Sequence, residues 1–176
     1  SVLSTNNINN LPGLNISTFK NNDLNLMSIL PLIAEEFPSW GLDRLKSYIR
    51  LVLKQESNGI LIAKNSSLYN VGLLIYSMQD IINKGFSKNT KKEFSKCLVV
   101  ENLISSSSLL EKKVFLQLTN KAIDIAENNS CEIVELPRFN TSFDLVKKKY
   151  KKNIINFNGW RTFIKIDKIL TANKEL

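Results

Sequence analysis

The sequence predicts an α/β domain, and three observations carry the prediction. Residues 97–137 read as an apolar strand, a four-serine loop, an amphipathic helix and a second apolar strand. Residues 39–55 repeat apolar side chains at Leu42, Leu45, Ile49, Val52 and Leu53, with Arg44, Lys46, Arg50 and Lys54 between them; that is the spacing of a helix buried along one side. Residues 60–63 and 71–78 are apolar runs joined by a turn at 65–67, the pattern of a hairpin. A chain of 176 residues suits one domain, long enough for a core covered on both sides by helices.

Taken in order, residues 16–19 form a short strand. Asn22 and Asp23 start a helix, and the apolar stretch 24–37 should be kinked or divided at Pro31, which has no amide proton and crowds the preceding turn. The helix over 39–55 is followed by a turn at Asn58 and Gly59, a strand over 60–63, and a longer strand over 71–78 in which Gly72 marks a bulge. A polar loop fills 79–95. The strand over 96–104 leads through the serines to a helix over 108–128, with Val114, Leu118, Ala122 and Ile125 inward and Ser108 with Glu111 as a capping box. Residues 131–136 are a strand, 142–152 a short helix and 159–166 a closing strand. Residues 1–14, rich in Asn and Ser, are expected to be a flexible lead-in, 15–168 the single domain and 169–176 a tail.

The hydrophobic fraction of 43% is ordinary for a soluble protein, and no apolar run approaches the roughly 20 residues of a membrane span. The start lacks the basic and apolar regions of a secretion signal. Cys97 and Cys131 each open an apolar strand; two cysteines are too few for an oxidised scaffold, so both are expected reduced in a cytoplasmic protein. The chain has no histidine. That removes serine–histidine triads and the usual zinc sites, leaves Cys97 without an activating base, and sets the expectation of no metal. Lys and Arg outnumber Asp and Glu by 24 to 16. The excess gathers at Lys84, Lys88, Lys91, Lys92 and Lys96, and at Lys147, Lys148, Lys149, Lys151 and Lys152 around Tyr150. Such clusters attract nucleic acid, phosphate-bearing ligands or an acidic carrier protein, or are simply solvated faces. Nucleic acid ranks behind the other partners, because arginine is scarce and no zinc spacing, helix-turn-helix or RNA-recognition pattern is present.

The order strand, two helices, two hairpin strands, strand, helix, strand, helix, strand resembles the GNAT superfamily of acyl-CoA N-acyltransferases over about residues 16–166. The resemblance implies a mixed, mostly antiparallel central sheet with helices on both faces. It implies acyl-CoA or acetyl-CoA as co-substrate and a small-molecule or peptide amine as acceptor. It also assigns residues. Leu103, Ile104 and Ser105 would pair with the pantetheine arm, and Ser105, Ser106, Ser107 and Ser108 with the helix start would cradle the pyrophosphate. Asn140 would contact the CoA arm, and Tyr150 would protonate the leaving thiolate. The family's loop usually reads Arg or Gln, two residues, Gly, one residue, then Gly or Ala; by helix register Leu110, Lys113 and Phe115 stand at those places, so the glycine-rich loop is lacking. Serine hydroxyls with Lys112 or Lys113 would hold a phosphate more loosely. Some GNAT-like enzymes draw the acyl group from acyl carrier protein, whose acidic surface lysines would steer. A GNAT-shaped binding module without activity is the runner-up to the acyltransferase reading, and a homodimer is compatible with the sequence.

N-acyl transfer needs a neutral amine, an oxyanion donor and an acid for the thiolate. Glu101, inside the apolar run 98–104, is the candidate base, since burial would raise its pKa. Strand alternation offers the opposite placement, in solvent beside Asn102. Tyr150 reads equally as a packing aromatic and Asn140 as a cap. Phe37 and Trp40 fall between the first two helices, the region that shapes the acceptor pocket in the superfamily, and Glu35 or Glu36 could bind an amine there; packing and solvated helix-end acids are the alternatives.

Overall fold

The computed structural model describes residues 13–20, 23–80, 96–106, 108–138, 140–157 and 161–166. The elements run β1 (Asn15–Thr18), α1 (Asp23–Glu36), α2 (Leu42–Lys54), β2 (Asn58–Lys64), β3 (Asn70–Asp80), β4 (Lys96–Ser105), α3 (Glu111–Asn128), β5 (Ile133–Leu136), α4 (Asp144–Lys149), β6 (Ile154–Phe157) and β7 (Arg161–Lys165). The strands form one seven-stranded sheet in the order β1-β2-β3-β4-β5-β7-β6. Every neighbouring pair is antiparallel except β4 with β5.

Two layers of helix cover the sheet because the central strands are apolar on both faces. In β2, Leu61 and Ala63 turn to one face and meet Val114, Leu118 and Ala122 of α3, together with Val146 of α4. Ile60 and Ile62 turn to the other face and meet Ile29 and Ile33 of α1 and Leu45 and Ile49 of α2. Both cysteines are buried free thiols; Cys97 packs with Ile133 and Phe163.

Several expectations need correction. Pro31 does not divide the first helix: α1 is continuous across it, with Pro31 exposed and the adjoining Leu30 and Leu32 buried. A proline is tolerated there because its ring faces water rather than the core. The capping box is not formed. Residues 108–110 make a turn, α3 starts at Glu111, and Leu110 occupies the cap without a side-chain bond. The helix expected over 142–152 is a 3-10 turn, Thr141–Phe143, running into the short α4. The strand β6 escaped the sequence reading, and with β7 it forms a closing hairpin. Residues 1–12, 81–95 and 167–176, which include all of the 1–14 lead-in but its last two residues, most of the first lysine cluster and the tail, lie outside the described residues, while Leu14 packs against the core.

At Gly72 the register slips, Ala63 facing Gly72 while Lys64 faces Asn70, so Val71 is the extra residue of a bulge. Gly72 also lets α3 approach the sheet. A methyl group built there would overlap Val114 Cγ1 and stand 3.3 Å from both Ile104 O and Leu118 Cδ1.

Candidate functional site

Parallel strands β4 and β5 pair over only three positions, Cys97 with Ile133, Leu98 with Val134 and Val99 with Glu135. Beyond Val99, β4 stays paired to β3 as far as Ser105, whereas β5 continues along β7. From Val100 to Ser105 the second edge of β4 therefore has no strand partner among the described residues. A cleft of about 320 Å³ opens where the strands part. Its walls are Glu101, Asn102 and Leu103 of β4 and the segment after β5 with Pro137, Arg138 and Asn140; Phe115 and Phe143 form an aromatic floor, their centroids 5.2 Å apart. Glu36 at the end of α1 and Glu111 at the start of α3 complete it. The lining thus carries three glutamates and one arginine, an acidic recess in a chain of net charge +8.

A second bulge shapes the β4 wall. Tyr76 faces Val100 and Ile75 faces Asn102, so Glu101 is the extra residue. A bulge breaks the two-residue alternation of a strand. Val100 and Leu103 accordingly both join the core beneath α3, while Ile104 joins the core beneath α1 and α2. Glu101 is exposed and accepts a hydrogen bond from Ser77 Oγ at 2.8 Å; Gln79 Nε2 donates in turn to Ser77 Oγ at 3.0 Å. Beside it, Asn102 Nδ2 donates to the Tyr48 hydroxyl of α2 at 3.1 Å. Burial pushes the Tyr48 hydroxyl above its ordinary pKa, the bond from Asn102 draws it back, and the Glu101 carboxylate adds to the rise. Tyr48 stands at the edge of an aromatic group in which Phe37 and Trp40 stack at 4.3 Å and Tyr48 meets Trp40 edge-on at 5.6 Å. The Arg44 guanidinium lies 4.2 Å from the centre of the Trp40 ring. Phe37 and Trp40 are half-buried against the α1–α2 core.

The remaining sequence candidates divide. Leu103 and Asn140 are on the cleft with Glu101, and Asn140 Oδ1 caps the 3-10 turn by accepting from Ser142 N at 2.8 Å. The Ile104 side chain points through the sheet into the α1–α2 core. Ser105 pairs with Gly72 of β3, and Ser106 spends both its amide and its hydroxyl on Val71 O, at 3.0 and 3.3 Å. Ser107 lies outside the described residues, and Ser108 is exposed in the turn before α3. Lys113 is exposed, and Lys112 pairs with Asp144 of α4 at 3.0 Å. The first helical bond of α3 runs from Val114 N–H to Leu110 O, so the amides of its first turn precede the intrahelical ladder. Tyr150 is 4% exposed, donates its hydroxyl to Asn120 Oδ1 and packs with Val146 and Phe143, and burial raises its pKa well above the tyrosine range. It is not part of the cleft lining.

Asn102, Tyr48 and Arg138 were not singled out from the sequence. A signal for the first existed: two adjacent polar residues, Glu101 and Asn102, interrupt an apolar strand and reset its alternation. Nothing in the sequence marks Tyr48. Among the described residues no cluster of acidic or cysteine side chains could hold a metal ion, and no helix is long and apolar enough to cross a membrane.

No family model matches the chain, and no curated protein matches it in sequence. Solved structures do. Aminoglycoside 6'-N-acetyltransferase AAC(6')-Ih from Acinetobacter baumannii is similar with a TM-score of 0.59 and 14% identity, over 80% of this chain and 88% of that one. AAC(6')-Iy in complex with a CoA-linked bisubstrate analogue gives 0.59 and 16%, over 79% and 88%. A chain of the NatC complex bound to Gag peptide and CoA gives 0.60 and 14%, over 88% and 99%. At such identities the likeness is one of architecture: this chain has the fold of the GNAT acetyltransferases.

Proposed function

We propose that the chain is an N-acyltransferase that moves an acyl group from acyl-CoA to an amine. The observation that carries this reading is the opening between β4 and β5, which leaves the β4 edge from Val100 to Ser105 unpaired beside a cleft holding a carboxylate. An extended amide-bearing arm such as pantetheine satisfies an open strand edge as another strand would. Several structural neighbours carry CoA or a CoA-linked analogue, which supports the same donor here.

In this reading Leu103 and Ser105 lie along the arm, and the first-turn amides of α3 with Lys113 and Arg138 face the pyrophosphate. Because Ser106 is committed to Val71, the serine loop contributes less than its composition suggests. Glu101 takes a proton from the acceptor ammonium, the freed nitrogen lone pair attacks the thioester carbonyl, the C–N bond forms and the C–S bond breaks, and the second proton of the attacking nitrogen passes to solvent as the thiolate takes one up. The Glu101 position, on the cleft wall and steadied by Ser77, supports that role. Tyr150 would have to leave Asn120 to protonate the thiolate; solvent at the open cleft is the nearer proton source. The exposed Lys147, Lys148, Lys149, Lys151 and Lys152 support a second donor, an acidic acyl carrier protein.

Calorimetry with acetyl-CoA, free CoA and a long-chain acyl-CoA tests the reading, with Lys113→Glu as control. Saturable binding weakened at least tenfold in the variant is expected. Absence of binding to all three would overturn the CoA-dependent reading and leave an acyl carrier protein as donor, or a domain without catalysis.

A further inference from the structure

A second cavity, of about 140 Å³, lies between α1 and the β1 end of the sheet, and no described residue lines both it and the β4 cleft. Phe19, Ile29 and Ile62 are buried and give it an apolar floor. Its rim is polar, with Ser17, Thr18, Lys20, Ser28, Lys64 and Asn70. None of the described lining residues is acidic, whereas the β4 cleft carries three glutamates. The bulge at Val71 builds part of this rim, because it sets Asn70 opposite Lys64. Lys64 continues the alternation of Ile60 and Ile62, so its half-buried side chain stays on the α1 face of the sheet. Asn70 Nδ2 donates to Ser28 O at 3.0 Å; a backbone carbonyl only accepts, so this bond orients the carboxamide and pins α1 to the start of β3 as one wall. On the opposite wall β1 is the last strand of the sheet. Phe19 N–H donates inward to Ile60 O, so the Thr18 amide, one residue back, points to the open edge.

The volume is many times the ~10–15 Å³ that one water needs and falls below the ~300 Å³ at which pockets for drug-sized ligands begin, so it suits a ligand of a few heavy atoms. An apolar floor under two ammonium groups, three hydroxyl-bearing residues and an outward amide complements an anion that carries a compact apolar body. A strongly hydrated inorganic anion would have to shed water against Phe19, Ile29 and Ile62, and a neutral molecule would not meet the charge of the lysines. We propose that this cavity is a binding site for a small organic carboxylate, its acid group toward Lys64 and Lys20 and its apolar body on Ile29 and Ile62. The site goes beyond acyl transfer: strands β2 and β3 stand between β1 and β4 in the sheet.

The test titrates the methyl-labelled full chain, without CoA, with 3-methylbutanoate, with its uncharged isostere 3-methylbutanamide and with inorganic phosphate, while the Ile29 and Ile62 methyl resonances are followed. Saturable shifts are expected with the carboxylate, about fivefold weaker binding with the amide, and no saturable shift with phosphate. Lys64→Gln should weaken carboxylate binding about fivefold, whereas Lys64→Arg, which keeps the charge, should hold it within about twofold. Lys20 is exposed, so Lys20→Gln supplies a second variant that leaves the packing alone, with a smaller loss in the same direction. No response to the carboxylate, equal response to carboxylate and amide, equal saturation by phosphate, or carboxylate binding untouched by both glutamine variants would each overturn the assignment. Failure of CoA to bind in the calorimetry would overturn the acyl-transfer reading while leaving this result standing, since the titration contains no CoA and the two sites share no described lining residue.

Discussion

Replacing Gly72 by alanine should destabilise the protein through one contact, Val114 on α3. Gly72 has no positive φ, so the added methyl costs nothing in backbone strain and would by itself stabilise by about 0.4–1 kcal/mol through the unfolded chain. Against that, the methyl overlaps Val114 Cγ1, a fully buried β-branched side chain on a helix, with Leu118 Cδ1 and Ile104 O each 3.3 Å away to block retreat. A β-branched residue in a helix has one favoured χ1 well, so α3 must lift rather than the side chain turn. Such overpacking costs about 1–3 kcal/mol. The net expectation is a loss of about 1–2 kcal/mol, a fall of roughly 0.5–1 M in the urea midpoint at a slope near 2 kcal/mol per M. Val114→Ala alone should lose about 2–3 kcal/mol from two buried methyls and the space they leave. With both substitutions present, the methyl added at position 72 occupies that space, and the double variant should be about 1–2 kcal/mol more stable than the sum of the single losses. Equal midpoints for Gly72→Ala and the parent, or a strictly additive double variant, would refute the packing argument.

The other expectations concern single groups. Burial raises the Cys97 thiol to about 12, so its contribution is fully present below the unfolded thiol value near 8.5. Above that value the unfolded state loses its proton first, and stability should fall by up to about 1.4 kcal/mol per pH unit toward pH 12; urea midpoints between pH 8 and 10 check this, and Cys97→Ala should flatten the slope. Arg161 makes two bonds to the half-buried Glu135, at 2.9 and 2.7 Å, so Arg161→Lys should lose part of the fork. With Arg161 half exposed, the loss should stay near 0.5–1 kcal/mol by denaturant titration. Tyr150→Phe separates two roles: a packing residue loses about 1 kcal/mol with the turnover rate within threefold, whereas a proton donor loses turnover at unchanged KM. The bond to Asn120 favours the first outcome.

Strands and helices with a strong period were legible from the sequence because burial on a single face leaves a repeat, as in α2 with Leu45 and Ile49 inward. The end of β3 and the start of β4 were read within two residues for the same reason. Where local chemistry competes with packing, the sequence misled. Ser108 and Glu111 have the spacing of a cap, yet the turn at 108–110 delays the helix. Ile154–Phe157 has no turn signature strong enough to separate it from the lysine run, and its strand character comes from pairing with β7. Within the cleft, Glu101 was nameable as a carboxylate interrupting an apolar run, and Leu103 and Asn140 through the resemblance in element order. The Tyr48–Asn102 bond was not, because no local pattern encodes a contact across 54 residues.

The short β4–β5 junction also bears on how the molecule opens. Three residue pairs join a four-strand block, β1 to β4, to a three-strand block, β5 to β7, and α3 spans the joint with Val114 and Ala122 in one continuous core with Val134 of β5. A joint with so few backbone bonds is the natural line for local opening, and amide hydrogens of β5 should exchange faster than those at the centre of β3. A ligand threaded along the bare edge of β4 supplies the bonds that the polypeptide omits. Occupancy would then slow exchange on both sides of the joint, so that the protection pattern, followed residue by residue, reports where the ligand lies even before any product is known.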